Sequence, residues 1–417
     1  MNLFKLSWKY LTFRPLSTGL NVFLLALGLA IITVLLLIQD QFEKKMNQDA
    51  AGIDLVVGAK GSPLQLILSG VYHIDFPTGN IPMDEAQKLS RNRLVKNIIP
   101  MALGDNYQGF RIVGTNHDYP TLYEAKLQSG ELWTTPFEVV LGAEVAVKSR
   151  YKVGDEFLGS HGISVGSHEH DGNKFKVVGV LERKGNVLDR LILTSVESIW
   201  YTHDEVAELE AADSTANQEE QHVERVAIKG FPITTVPRDL TTLLIQYRNP
   251  MAAIQLPRLI NSGTSMQAAS PSFEMSRLFE LLGVGITLLQ GLAVVIIGIS
   301  GLGIFIALYN SLKERKYDLA ILRAIGASRG QLLLLIFLEG LMLTFLGAIL
   351  GILLGHTFLS VIISQNEQGV IGSLQPWIFL KQELWIVVYA LVVGVLASVI
   401  PAFAAYQTSI AKQLTKA

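Results

Sequence analysis

Residues 312–350, LKERKYDLAILRAIGASRGQLLLLIFLEGLMLTFLGAIL, join a short charged segment to a long apolar one. Tyr317, Ile321 and Ile325, with Leu322 beside them, recur at helical spacing and predict an apolar stripe on a short helix. Gly326 is a natural helix stop. The polar side of the same helix carries Lys313, Arg315, Lys316 and Arg323. Ser328 and Gln331 form a capping-box pattern that starts the next helix.

The apolar segment that follows is one of four that could cross a membrane. About 20 apolar residues span a bilayer as a helix. We predict spans at 16–38, 281–308, 332–360 and 384–405, separated by segments 309–331 and 361–383. The first span runs directly into QDQFEKKMNQ without a small-residue cleavage site, so we expect an uncleaved anchor.

Basic residues in the short flanking segments predict the orientation. They cluster in residues 1–15, 309–331 and 406–417, whereas the segment between the third and fourth spans has only Lys381. The positive-inside rule then puts both termini in the cytoplasm and residues 39–280 outside. Phe4, Trp8 and Leu11 also predict an interfacial helix within residues 1–15, the alternative being a frayed basic terminus.

Residues 39–280 form a mildly acidic middle segment. They hold 23 Lys/Arg and 31 Asp/Glu, whereas the rest of the chain holds 11 and 5. Short β-branched runs such as Phe175 to Leu181 alternate with helix-like segments such as Pro82 to Leu94, which predicts a mixed α/β domain. The chain has no cysteine, no basic patch typical of nucleic-acid binding and no hydrolase motif.

A histidine cluster interrupts this domain at SHGISVGSHEHDG. His161, His168, His170 and Asp171 are a suitable ligand set for zinc or copper, and His168 and His170 would share one face of a strand. The alternative is a solvated hairpin turn without a metal. No other cofactor is predicted to bind this chain directly.

The segment that begins at Arg315 resembles the coupling-helix signature of FtsX-like, MacB-type ABC transporter permeases. The match is carried by ten residues: Arg315, Asp318, Ala320, Ile321, Leu322, Arg323, Ala324, Gly326, Ala327 and Ser328. Glu339-Gly340, Gly347 and Pro401-Ala402 fit the same pattern, while Asp318 stands where Glu is commoner. The resemblance implies a four-span, one-plus-three membrane protein with a MacB-like periplasmic core in the bacterial inner membrane. It also implies ATPase coupling through Arg315, Asp318, Ile321, Leu322, Arg323, Ile325 and Gly326.

No G-x-x-x-x-G-K-[ST] motif occurs in the chain. We therefore expect this chain to be non-catalytic, with ATP and magnesium bound by a separate cytoplasmic ATPase dimer. The expected partners are a second permease copy, membrane lipids and, as an open possibility, a periplasmic or outer-membrane protein.

Two features of the third span have alternative interpretations. Gly347, Gly351 and Gly355 form a double G-x-x-x-G ridge that predicts close packing against a neighbouring span or a dimer mate. Glu339 is ionisable within an apolar segment, so it should face protein or water, in a hydrogen-bonded structural role or in ion translocation.

Three functions fit the sequence. The first is transmission of ATP-driven motion to an outer domain for export, extraction or envelope remodelling. The second is a zinc- or copper-linked transport complex that uses the histidine cluster. The third is regulation of an envelope hydrolase.

Overall fold

The structure is a computed structural model that describes residues 3–13, 15–161, 174–202, 226–234, 236–365, 372 and 374–407. Its helices are α1 Leu3–Phe13, α2 Pro15–Asp49, α3 Pro63–Gly70, α4 Met83–Ser90, α5 Asp118–Leu122, α6 Ala143–Ser149, α7 at 196–202, α8 Ala252–Gly263, α9 Pro271–Glu314, α10 Lys316–Ala324, α11 Arg329–Gln365 and α12 Glu383–Tyr406. Its strands are β1 Leu55–Ala59, β2 Ile81–Pro82, β3 Val95–Tyr107, β4 Phe110–Thr115, β5 Leu127–Gly130, β6 Glu138–Leu141, β7 Glu156–Phe157, β8 Ser160–His161, β9 Phe175–Leu181, β10 Leu191–Ser195, β11 Asp239–Leu240, β12 Thr242–Tyr247 and β13 Met266–Ala269.

The chain divides into two compact units. The membrane unit comprises Met1–Phe42 and Leu281–Ala417, and the outer unit comprises Glu43–Glu280. Both boundaries fall within helices, the first inside α2 and the second inside α9.

The outer unit is built on a mixed sheet, so the α/β prediction is confirmed. Its strands are hydrogen-bonded in the order β13-β1-β12-β3-β4-β10-β6-β9-β5, with β7 on β9 and β8 on β3. β4 pairs with β10 and β6 pairs with β9 in parallel, whereas the other pairs are antiparallel.

The core of the outer unit lies between this sheet and its helices. Leu55, Val56 and Val57 of β1 are consecutive and fully buried, as expected for a strand covered on both faces. Leu256 and Ile260 of α8, one turn apart, are buried in the same core. The long runs of β-branched residues therefore form interior strands.

The membrane unit contains the four candidate spans that the hydropathy predicts, on α2, α9, α11 and α12. The helices are longer than the predicted apolar segments, with 35, 44, 37 and 24 residues. At 1.5 Å per residue α2 is about 52 Å long, well beyond the ~30 Å hydrocarbon core. Hydropathy marks only the lipid-embedded part, because the helical hydrogen-bond pattern continues through polar residues.

Helix α1 is present as predicted and packs on α11. Ser7 and Leu11 are buried, and the Ser7 hydroxyl donates to the carbonyl of Leu335. Phe4 and Trp8 are exposed on another face. This arrangement fits a helix with one side on protein and an aromatic side available to a membrane interface.

Candidate functional site

The short helix α10 follows α9 after a break at Arg315 and ends before Gly326, which has a φ of 111°. Such a φ strains residues with a Cβ, so glycine suits the turn. The predicted capping box closes the other side of the turn. The Ser328 amide donates to Gln331 Oε1 at 2.8 Å, and the Gln331 amide donates to Ser328 Oγ at 3.2 Å.

One side of α10 is anchored inside the membrane unit. Leu319 and Ala320 are buried. Leu319 belongs to a cluster with Leu312, Leu332 and Ala402, and Leu322 is packed against that cluster. The helix is therefore held by apolar contacts on this face.

The opposite side of α10 presents the predicted apolar stripe to its surroundings. Tyr317 is 49%, Ile321 36% and Ile325 80% exposed. These residues are spaced by four, so they lie along one face of the helix and the turn after it. Asp318 is exposed beside them. The result is an exposed ridge of three apolar side chains on a fixed helix.

Arg315 is directed into the unit, away from that stripe. Its guanidinium contacts Glu339 with Nη1 3.3 Å from Oε1, and Nη2 donates to the carbonyl of Tyr10 at 3.3 Å. The guanidinium carbon also lies 3.9 Å from the centroid of the Tyr10 ring. Glu339 is 2% exposed. Arg315 thus ties the start of α10 to α1 and α11.

The seven residues expected to couple to an ATPase therefore divide by position. Asp318, Ile321, Ile325 and Gly326 are exposed, Leu322 and Arg323 are half-buried, and Arg315 faces the interior. The first group is available for contact with a partner. Arg315 and Leu322 are placed to hold the helix in position.

A second anchor, which the sequence did not reveal, holds the end of α2 within the outer unit. Asp49 accepts a hydrogen bond from Arg190 Nη2 at 3.1 Å, and the Asp49 carbonyl accepts from the Tyr123 hydroxyl at 2.5 Å. Tyr72 donates to the carbonyl of Met46, and Lys45 donates to that of Gly185. The last turn of α2 is therefore hydrogen-bonded to four residues of the α/β domain.

His73 is buried next to this anchor. Its Nε2 lies 3.1 Å from the Tyr119 hydroxyl, and its φ is 55°, in the left-handed region. Burial lowers the pKa of His73 well below its usual value, and the nearby charges of Arg111 and Arg190 lower that pKa further. His73 is thus a neutral imidazole at physiological pH.

The glycine ridge of α11 packs against α2 of the same chain. A Cβ on Gly347 would lie 2.7 Å from Leu25 Cδ2, and one on Gly351 would lie 2.8 Å from Leu29 Cβ. A Cβ on Gly355 would lie 2.8 Å from Thr33 Cβ. Of the two alternatives, packing against a neighbouring span is the one that this geometry supports.

His356, in the second half of α11, is a buried histidine. His356 Nδ1 lies 2.6 Å from the carbonyl of Pro376, and its Nε2 lies 3.2 Å from Glu383 Oε2. Trp377 stacks on the imidazole. Gln375, which directly precedes Pro376, makes two hydrogen bonds with Gln41 of α2. This network closes the segment between α11 and α12 onto the membrane unit.

The predicted metal ligands cannot be assembled from the described residues. His161 lies in β8, where it pairs with Asp105 of β3, whereas His168, His170 and Asp171 lie outside the described residues. Within the described ranges, no group of three or more His, Cys, Asp or Glu side chains could hold a metal ion. Zinc or copper binding at this loop stays a prediction.

Two family models match the chain, and together they leave out residues 1–17, 251–290 and 411–417. The MacB-like periplasmic core domain matches residues 18–250, and the FtsX-like permease C-terminal model matches residues 291–410. The second match contains α10 and the glycine ridge. The first contains the outer sheet through β12 and the anchor of α2.

Individual relatives are more distant. The pyoverdine export ATP-binding/permease protein PvdT of Pseudomonas savastanoi pv. phaseolicola is 22% identical over 84% of this chain and 50% of its own length. An uncharacterised ABC transporter permease of Methanocaldococcus jannaschii is 27% identical over 30% of this chain and 31% of its own. The chain thus spans half or less of the length of these curated relatives. The periplasmic region of MacB from Actinobacillus actinomycetemcomitans aligns with 56% of this chain and 97% of its own, at 14% identity and a TM-score of 0.32.

Proposed function

Because this chain belongs to the FtsX-like ABC transporter permeases and carries a MacB-like periplasmic core domain, we propose that it transmits the motion of a separate ATPase to its outer unit. The family is a permease component that normally works with an ABC ATPase and is generally non-catalytic itself. Three points are proposals for this chain: the helices that transmit the motion, its direction from the ATPase to the outer unit, and assembly as a permease homodimer.

The observation that carries the proposal is the one-sided anchoring of α10. A helix that only filled space between two spans would bury its apolar residues, yet Tyr317, Ile321 and Ile325 are exposed while Leu319 and Ala320 are packed. An exposed apolar ridge on a fixed helix suits insertion into a groove of a partner protein. We assign that groove to the ATPase, on the side where the positive-inside rule puts residues 309–331.

The route outward would use the two helices that contain the unit boundaries. α10 follows α9 directly, and Arg315 ties its start to α1, which precedes α2. α2 ends in the anchor at Asp49. A displacement of α10 by the ATPase would therefore reach the outer unit through α9 and α2. In this proposal the substrate is handled outside the membrane, by export, extraction or remodelling.

Mutation of the exposed ridge tests the proposal. We expect the double change Ile321→Asp and Ile325→Asp to abolish co-purification of an ATPase with the tagged full chain and the ATP hydrolysis that accompanies it. Burial of two charges in an apolar groove costs several kcal/mol, which is more than a transient interface can tolerate. The readouts are the subunit composition and the ATPase rate of material purified from membranes.

The matched control is Ile325→Val, which keeps the ridge apolar and should retain ATPase at the wild-type level. Thermal unfolding of both variants should be close to that of the wild type, because both residues lie on the exposed face of α10 and outside its buried cluster. Wild-type ATPase association in the double Asp variant would exclude this face as the coupling surface.

A further inference from the structure

A polar cavity of about 220 Å³ lies in the membrane unit beside the Arg315–Glu339 pair. It is lined from α1, α2, α9 and α11, and its polar lining includes Asn21, Asn310, Ser311, Arg315 and Glu339. Coupling through the exposed ridge of α10 gives this space no role. A polar space within a bundle of membrane-spanning helices needs an occupant, because lipid chains cannot satisfy its polar groups.

Asn21 is a buried polar residue on the wall of this cavity. The residue is only 7% exposed, yet its side-chain amide has no hydrogen-bond partner among the residues that the structure describes. Gly303 leaves room for this amide, since a Cβ there would lie 2.7 Å from Asn21 Oδ1. The amide can donate two hydrogen bonds and accept two.

The two charged side chains on the cavity wall, Arg315 and Glu339, also have hydrogen-bonding groups that their mutual contact does not occupy. One oxygen of Glu339 contacts Arg315, and in the described part of the chain its other oxygen has no protein partner. Arg315 uses two of its five N–H groups on Glu339 and Tyr10. The wall therefore offers a carboxylate oxygen and guanidinium N–H groups side by side. A ligand with an N–H-bearing cation and an anion satisfies both without leaving either wall charge unpaired.

The cavity lies near the start of α2 and the end of α9. Asn21 is six residues from the start of α2 at Pro15, about 9 Å along the axis, and Asn310 is four residues from the end of α9, about 6 Å. Headgroups occupy the outer ~5–7 Å of each face of a bilayer. Because both helices are longer than the hydrocarbon core, their ends extend through this layer.

We propose that this cavity binds the headgroup of an aminophospholipid. The ammonium group donates to the free oxygen of Glu339 and to Asn21 Oδ1, and the phosphate accepts from Arg315 and the Asn21 amide N–H groups. The proposal requires only that the helices span a membrane. It stands or falls separately from coupling to an ATPase.

Native mass spectrometry of the full chain in detergent tests the proposal with three added probe lipids of identical acyl chains. We expect phosphatidylethanolamine to be retained about tenfold more than phosphatidylcholine or phosphatidylglycerol. Choline has no N–H donor for Glu339, and glycerol has no cation. One hydrogen bond to a charged group corresponds to about a tenfold difference in binding.

Two variants locate the preference. Asn21→Leu keeps the side-chain size but removes the amide, and Glu339→Gln keeps an acceptor for Arg315 but removes the charge. Each should lower retention of phosphatidylethanolamine to the level of phosphatidylcholine. The matched control is Thr287→Val, an exposed position on α9 whose hydroxyl bonds its own helix at Gly283, and it should behave as the wild type.

Equal retention of the three lipids by the wild type would overturn the proposal and leave water as the occupant. An unchanged preference in Glu339→Gln would do the same, and this variant decides the question if Asn21→Leu fails to fold. Loss of ATPase association in the ridge variants has no bearing on either result.

Discussion

Arg315 and Glu339 carry opposite charges on side chains that are mostly removed from water. Arg315 is 14% and Glu339 2% exposed at the side chain. Arg315 also donates a hydrogen bond to the Tyr10 carbonyl and lies over the Tyr10 ring, so the cost of removing two charges from water is partly offset. Each charge depends on the other. This mutual dependence favours the structural role of Glu339 over ion translocation.

A double-mutant cycle on this pair should show strong coupling. Glu339→Leu leaves a buried guanidinium and Arg315→Met leaves a buried carboxylate, so we expect each to lower the free energy of unfolding by about 3 kcal/mol. The double variant should lose less than the sum. Thermal unfolding of the full chain in detergent measures all four proteins. Strictly additive losses would show that the two charges do not support each other.

His73 makes the stability of the outer unit depend on pH. The pKa of His73 is lowered in the folded protein, whereas in the unfolded chain it has its ordinary value near 6.5. Below about pH 6.5 the unfolded state therefore binds a proton that the folded state does not. Stability contributed by the neutral imidazole is complete above pH 6.5 and falls below it, by at most about 1.4 kcal/mol per pH unit.

The variant His73→Asn should flatten this dependence. Asparagine tolerates the left-handed backbone at this position and carries no titrating group. We expect the unfolding temperature of the wild type to drop more than that of the variant between pH 7.5 and pH 5.5, as followed by tryptophan fluorescence. The same drop in both proteins would assign the pH dependence to other groups.

At the scale of elements, the contact of α2 with α11 depends on the absence of side chains. Gly351→Ala places a Cβ 2.8 Å from Leu29 Cβ and 2.9 Å from the carbonyl oxygen of Ala26. We expect a loss of about 1–3 kcal/mol from overpacking, measured by thermal unfolding in detergent. Gly298→Ala on α9 is the matched control, because its Cβ would meet no atom within 4 Å, and it should be within about 0.5 kcal/mol of the wild type. Equal effects at the two positions would contradict the close approach.

Elements with local signals were predictable from the sequence, and those built from distant residues were not. Four spans, α1, α10, its glycine stop and the capping box rest on hydropathy, helical period and cap chemistry within short windows. The anchor of α2 joins Asp49 to Arg190, which lie 141 positions apart. His73 meets Tyr119 across 46 positions. Nothing local in a single sequence indicates which distant polar side chains are buried together.

The same limit applied to the site. The spacing of Tyr317, Ile321 and Ile325 identified an apolar stripe, but it did not show that this stripe is exposed while Leu319 is packed. The resemblance grouped Arg315 with the coupling residues. Only the structure shows that the Arg315 side chain points inward, because it contacts Glu339 and Tyr10.

At the scale of the whole molecule, the proposed route through α2 requires an unbroken helix between Phe42 and Glu43. We expect insertion of Gly-Ser-Gly at this boundary to leave ATPase association intact, because α10 is unchanged, but to remove the response of the outer unit to ATP. The measurement is hydrogen exchange in peptides from β1 and α3 with ATP or ADP present. The control is the same insertion after Gly230, which has a φ of 71° and open space around it. A retained ATP response in the first insertion would exclude α2 as the route.

The packing of α2 on the glycine ridge also sets an order of events during synthesis. Leu29 and Gly351 are in contact in the folded protein, but about 320 residues separate them in the sequence. At a synthesis rate of 5–20 residues per second, α11 is therefore made roughly 15 to 60 seconds after α2. During that interval it must persist alone in the bilayer. Thr33, which faces Gly355 in the folded protein, donates a hydrogen bond from its hydroxyl to the Leu29 carbonyl of its own helix. Its hydroxyl is therefore hydrogen-bonded before α11 is present. Asn21 makes no such side-chain hydrogen bond within its own helix, so its amide is open to an external partner until the other helices have packed around it.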